Sequence, residues 1–244
     1  MKRQTMRKLF YLSAFILGGC IISNGSGKGD YTKLPPEGKT FDVKPFKAIK
    51  ANGIFSITLS QGSKEGVIVK GDLPKDLKVT NIGDTLVIED TAHTHFSNMN
   101  VSTDIYITLT DINYFENSSV GKTQCSDTLH LKKLTFQTEG VGTTNLLLNA
   151  DTVKGDQDGV GTLTLLGKAR FTELSDNGVG TLDSYEFHTE VLHVSANGVG
   201  AAAVYASREL YMQANGVGGI KYHGPAEVKQ AENNGVGSIR HVNN

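Results

Sequence analysis

Between Phe41 and Phe115 apolar and polar residues alternate in short runs. The apolar positions are Phe55, Ile57 and Leu59, then Val67 and Val69, Leu77 and Val79, Leu86 and Ile88, and Ile105, Ile107 and Leu109. Alternation with a period of two predicts strands, because successive side chains of an extended chain point to opposite faces. The runs break at Gln61-Gly62, Gly71-Asp72, Gly83-Asp84 and Asp111, where turn-forming residues collect. No helical periodicity competes with this reading.

Beyond residue 115 the same alternation acquires a metronome. Gly-Val-Gly recurs at Gly140-Val141-Gly142, Gly159-Val160-Gly161, Gly178-Val179-Gly180, Gly198-Val199-Gly200, Gly216-Val217-Gly218 and Gly235-Val236-Gly237, preceded by a degenerate Ser119-Val120-Gly121. The valines are separated by 21, 19, 19, 20, 18 and 19 residues, the signature of a solenoid. Leu134, Val153, Leu192 and Leu210 stand six before the first glycine, and Phe136, Leu174, Val194 and Met212 four before it. Two after the second glycine stand Thr144, Leu163, Leu182, Ala202, Ile220 and Ile239, and two further on Leu146, Leu165, Val204 and Tyr222. Each period therefore predicts two strand pieces joined at a Gly-Val-Gly corner, with a return turn such as Gly167-Lys168 or His223-Gly224-Pro225.

Equivalent strands pair in parallel about 4.8 Å apart, so seven corners span roughly 29 Å. The expected fold is all-β, a single-stranded right-handed parallel β-helix (β-solenoid) with coils of about 19 residues. Glycines at the corner allow positive φ and close stacking of backbones. The valine between them is expected to point inward as a continuous ladder. Ser119, Glu139, Asp158, Asn177, Asn197, Asn215 and Asn234 are expected to form a second column, whose asparagines hydrogen-bond along the axis. Glu139 and Asp158 interrupt it with adjacent acids, which at this spacing repel by about 1 kcal/mol in water unless solvated, protonated or bridged by a cation. Asn52-Gly53-Ile54 reads as a worn copy of the phrase. The 66 residues from Ile54 to Val120 predict about three irregular coils.

The N-terminus follows another pattern. Lys2, Arg3, Arg7 and Lys8 precede an apolar run from Leu9 to Leu17, which ends in Leu17-Gly18-Gly19-Cys20. A basic region, a short apolar region and small residues at a cleavage point make residues 1–19 a secretory signal, too short to span a membrane. The last four residues resemble the lipobox of bacterial lipoproteins, which implies acylation of Cys20 and a membrane partner held through the N-terminal lipid. Several acyl chains anchor stably where one is marginal. Ile21, rather than an acidic residue, follows the cysteine, which points to the outer membrane. Residues 20–40 are rich in Gly, Ser and Pro and predict a flexible tether with a reach of roughly 25 Å. The folded domain is expected over 41–244.

Composition adds exclusions. In 244 residues with a net charge of −1, nothing suggests a nucleic-acid partner. The 28 glycines accompany only 5 prolines and alternate with β-formers, so they are positional and not the mark of a disordered chain. With Cys20 acylated, Cys125 stands alone as a small residue in a strand, and only His130 is nearby in sequence.

The opening Phe46-Lys-Ala-Ile-Lys-Ala-Asn-Gly-Ile-Phe-Ser-Ile-Thr-Leu-Ser-Gln-Gly62, then Val67-Ile-Val-Lys-Gly-Asp72, Leu86-Val-Ile88 and the glycine-paced repeats resemble the head GIN domain family of putative auto-transporter adhesins. The likeness covers roughly residues 41–240. It implies a right-handed parallel β-helix, exposure on Gram-negative envelopes, a proposed adhesive role toward a glycan or protein ligand, and no catalytic residues to transfer.

Parallel β-helices also carry polysaccharide lyases and hydrolases, for which Glu139, Asp156, Asp158 and Asp176 are the candidate carboxylates. They have no clustered Arg or Lys and no long cleft-forming loop, so a solvated corner is the preferred account of them; a Ca²⁺ site from the same oxygens lacks a binding loop. His93 and His95 could share a metal but have no third ligand nearby. The glycines never open a helix, so no phosphate cradle and no cofactor is expected. The expected function is a non-enzymatic adhesin-like, binding or structural module of the envelope. A polysaccharide-degrading enzyme and a ligand-free spacer are the alternatives.

Overall fold

The computed structural model describes residues 37–90 and 103–243. The signal segment, Cys20, and His93 and His95 lie outside the described residues. The described chain is all strand and turn, without a helix, in stacked parallel coils of about 19 residues. The first strand, β1 (Lys39–Phe41), begins two residues ahead of the boundary expected at 41.

The N-terminal coils differ from expectation in order and direction. β2 (Ala48–Asn52) and β3 (Ser56–Gln61) form one coil, β4 (Gly66–Gly71) and β5 (Leu77–Ile82) a second layer, and β6 (Thr85–Asp90) and β7 (Thr103–Leu109) a third. β8 (Tyr114–Asn117) and β9 (Val120–Cys125) make the fourth. β2 pairs in parallel with both β6 and β8, and β3 with both β7 and β9, so the first coil in sequence sits between the third and the fourth. β4 and β5 run in reverse, antiparallel to β7 and β6, and β1 is antiparallel to β4. Three layers are therefore present, as the length predicts, but one is turned over and lies at the end of the stack. The reversed layer ends the stack of coils, and β1 covers the outer edge of its β4.

From β8 onward each coil lies in register on the one before it, except for one slip after Leu210, where Tyr211 pairs with Gln230. Thr144, Leu163, Leu182, Ala202, Ile220 and Ile239 form one interior ladder. Phe115, Phe136, Gly155, Leu174, Val194 and Met212 form another. Nearly all are fully buried, each large side chain contributing about 1.5–3 kcal/mol. Gly155 is the exception within its ladder, because the Phe136 ring from the coil below fills its place: a Cβ there would lie 2.1 Å from the ring tip. The apolar interior is continuous from Phe46 to Ile220.

Candidate functional site: an exposed valine ridge at the coil corner

The corner is built by continuing the alternation through the glycines. Gln157 faces inward, and Leu163 faces inward six residues later. Period two then places Gly159 and Gly161 inward as well, with Asp158, Val160 and Thr162 outward. Gly161 has φ +141°, and a Cβ on it would stand 1.8 Å from the Gly142 carbonyl oxygen of the preceding coil. The backbone of the coil beneath leaves no room for a Cβ at these positions, which is why they carry glycine.

The valines therefore face solvent, contrary to the inward ladder expected from their apolarity. Val120, Val141, Val160, Val179, Val199 and Val217 are 46% to 53% exposed and Val236 is 73% exposed. All seven stand in register, each directly above the last. Ile54 continues the line through a parallel bridge to Val120 and is 47% exposed. The result is a straight apolar ridge of eight residues.

Beside it runs the polar column, which begins at Ser118 and not at Ser119. Ser119 takes the place of the first glycine and is buried, its hydroxyl donating to Asn117 Oδ1 at 2.6 Å. The column is a one-way amide ladder. Asn234 Nδ2 donates to Asn215 Oδ1 (3.1 Å), Asn215 to Asn197 (2.8 Å), Asn197 to Asn177 (2.8 Å), and Asn177 to the Asp158 carboxylate (2.7 Å). Gln137 Nε2 lies between the two acids, 2.8 Å from Glu139 Oε1 and 3.2 Å from Asp158 Oδ2. Ser118 Oγ donates to Glu139 at 3.1 Å. The acids are thus the acceptor end of the ladder: ionised carboxylates only accept, so they close a chain in which every amide passes its bond downward.

The four carboxylates considered for acid/base work are not gathered on one face. Asp176 points inward and is 3% exposed, whereas Glu139, Asp156 and Asp158 are exposed. Partial desolvation of its carboxyl, opposed by the Ser175 hydroxyl, raises the Asp156 pKa, and the charges of Asp158 and Glu173 raise it further. Among the described residues no group of three or more His, Cys, Asp or Glu side chains could hold a metal ion. Cys125 is half-buried, and burial lifts its thiol to about 11, which removes the thiolate a nucleophile needs. His130 Nδ1 pairs with Asn149 Nδ2 at 3.3 Å.

Behind the ridge lies an interior polar column that the sequence reading passed over: Asn117, Thr138, Gln157 and Asp176, in register and buried, giving way to Ala196 and Ala214 above. It borders a cavity of about 20 Å³, room for about one water, lined by Asn117, Ser119, Thr138, Thr144 and Gln157. Gln157 Oε1 and Asp176 Oδ1 have no hydrogen-bond partner, and burial raises the Asp176 pKa. Counting in twos from Leu163 would have found this column. On the outer faces, His193 stacks on Tyr211 with ring centroids 4.2 Å apart, and Tyr205 meets His188 and His223 edge-on. His193 and Tyr211 present their ring faces to each other across adjacent coils.

The sequence profile of the family described as putative auto-transporter adhesin, head GIN domain, matches residues 45–226. A crystal structure described as a putative adhesin from Bacteroides fragilis is 25% identical, superposes with a TM-score of 0.80, and aligns over 84% of this chain and 95% of its own. A putative adhesin from Parabacteroides distasonis (22% identity, TM-score 0.62, 84% and 95% covered) shares the fold. So does a putative lipid binding protein from the same organism (17%, 0.64, 85% and 96%). No curated protein matches the chain.

Proposed function

Because the chain belongs to the head GIN domain family of putative auto-transporter adhesins, we propose that it is a non-catalytic binding module of the cell envelope whose contact surface is the valine ridge with its amide ladder. One observation carries this reading: seven valines repeat in register at the corner and every one of them faces solvent. A soluble monomer gains nothing from a contiguous apolar strip, and strips of this kind mark contact sites. Display follows from acyl chains on Cys20, with the residues up to Pro35 as the tether and the outer membrane as the destination. A glycan or a protein is the ligand class that a long regular surface suits.

The unit from residue 36 onward is compact and carries its own core, so it can be assayed alone. On an array of envelope glycans and matrix proteins it is expected to bind at least one class, and Val141→Asp with Val160→Asp to weaken that binding at least ~10-fold, about 1.4 kcal/mol. Binding unchanged in the double variant would move the site off the ridge. An array that returns no binder would favour a spacer, unless the ligand is the chain itself. Depolymerisation of an acidic glycan, lost in Asp158→Asn, would establish the enzymatic alternative instead. For the anchor, Cys20→Ser should leave an unprocessed precursor without acyl label; normal labelling in that variant would dismiss it.

A further inference from the structure

We infer that the ridge pairs with the ridge of a second copy of this chain, the two solenoids lying side by side and running in opposite directions. A partner that lies flat along the ridge must present apolar groups every 4.8 Å or so over seven rungs. A second copy does this by construction, and identical ladders at this spacing interdigitate as dry zippers. Eight side chains exposed to this degree offer on the order of 500 Å² of apolar surface, near the upper end for a patch on a monomer. Covered on both copies, that is about 1,000 Å², the floor for a specific interface before the flanking Asn and Thr columns are counted.

Charge selects the direction. Across the polar column, the ridge and the column after the second glycine, charged side chains occur only in the first three rungs, at Lys122, Glu139 and Asp158. A two-fold axis that reverses the solenoids sets each polar column against its own counterpart. With the axis at Val179, the middle valine, Glu139 and Asp158 then face Asn215 and Asn197. Each of these amides spends one N–H on the ladder and keeps a second to donate, while the carboxylates still have free lone pairs to accept it. The parallel alternative offers the acids only the Thr143 and Thr162 hydroxyls.

Opposed solenoids send their N-termini to opposite ends, because each chain enters the stack at the capped end through β1, on β4. This last step rests on the Cys20 anchor proposed above: with both copies tethered, such a pair joins two facing membranes. The pairing itself does not depend on the anchor.

Sedimentation velocity of the unit from residue 36, from about 1 to about 100 µM, should show a concentration-dependent dimer. Val179→Asp and Val179→Lys, which each set like charges face to face at the axis, should weaken it at least ~100-fold with unchanged circular dichroism. In a Cys125→Ala background, Val141→Cys mixed with Val217→Cys should crosslink under oxidation, and neither should crosslink alone. A monomer throughout the range, or a dimer indifferent to both Val179 variants, would overturn the pairing. Crosslinking of Val141→Cys by itself would overturn the direction. Vesicles carrying the acylated full chain should cluster; if they stay dispersed while the Val141/Val217 crosslink forms, the bridging of two membranes fails and the pairing stands.

Discussion

The valine column and the glycine columns beside it are one residue apart and obey opposite rules. Gly161 is fixed by the coil beneath: its φ of +141° and the Gly142 oxygen 1.8 Å from where a Cβ would sit leave no alternative residue. Val160, its neighbour, touches water over half its surface, and nothing in the coil's closure requires it to be apolar. Regular repetition therefore has two separate causes at this corner. The glycine repeats because each coil stacks on the last; the valine repeats because a continuous outer surface is maintained.

The largest expected effect breaks the glycine side of this comparison. Gly161→Ala combines a strained backbone with a clash against main-chain atoms that cannot rotate away. It should cost more than about 3 kcal/mol or prevent folding, as read from the urea midpoint of the unit from residue 36. A cost below about 1 kcal/mol would mean that neighbouring coils can separate, and the packing argument for the glycines would fall.

The sequence makes this corner visible and invites a misreading of it. The period, the strand pieces and the interior positions Leu163, Leu182 and Ile220 follow from alternation alone, because a wall with one dry face must place every second residue inside. Apolarity alone sends the valines inward, although counting in twos from Leu163 through Gly161 and Gly159 puts them outside; at this corner phase outranks local hydrophobicity. Ser119 reads as a member of the polar column for a related reason, since the degenerate first repeat hides which residue is equivalent to glycine. The reversed layer of β4 and β5 was not legible at all. Antiparallel and parallel strands share the same period-two text, so Val67 and Val69 carry no sign of the direction in which their strand runs. The direction of the amide ladder is legible in principle, because Asp158 at its foot can only accept and Asn177 above it must donate; the bridge that Gln137 makes between the two acids from an adjacent column is not.

The interior face of the corner supplies the next test, of intermediate size. Asp176 sits in the inward column with one carboxylate oxygen unpartnered, and its register neighbour Gln157 has an unpartnered oxygen of its own. Burial raises the folded-state pKa above the ordinary 3.8, so as pH rises the unfolded chain loses its proton first. The folded state is then penalised progressively until the pH passes the folded pKa, and the penalty persists at neutrality. Asp176→Asn removes the charge and adds a donor within the same column, where Asn117 already sits buried. It should stabilise the unit by about 1–3 kcal/mol at pH 7, and the gain should disappear near pH 3. An equal gain at both pH values would show that the variant acts through packing and that Asp176 is not a buried titrating group.

The smallest expected effect sharpens the valine side and separates architecture from function. Val160→Thr keeps a β-branched side chain and its strand preference while replacing one methyl by a hydroxyl, at a position 50% exposed. If the ridge exists for contact, the substitution should change stability by no more than about 0.5 kcal/mol, as surface changes usually do. The same change made at all of Val141, Val160, Val179, Val199 and Val217 should stay nearly additive in stability and yet abolish ridge-dependent association, measured on the same samples by urea midpoint and sedimentation. A cumulative loss above about 5 kcal/mol would mean that each valine supports its own coil by packing laterally on the valines above and below. The ridge would then be a structural ladder on the outside of the fold, and the contact surface would have to be sought on the strand faces between corners.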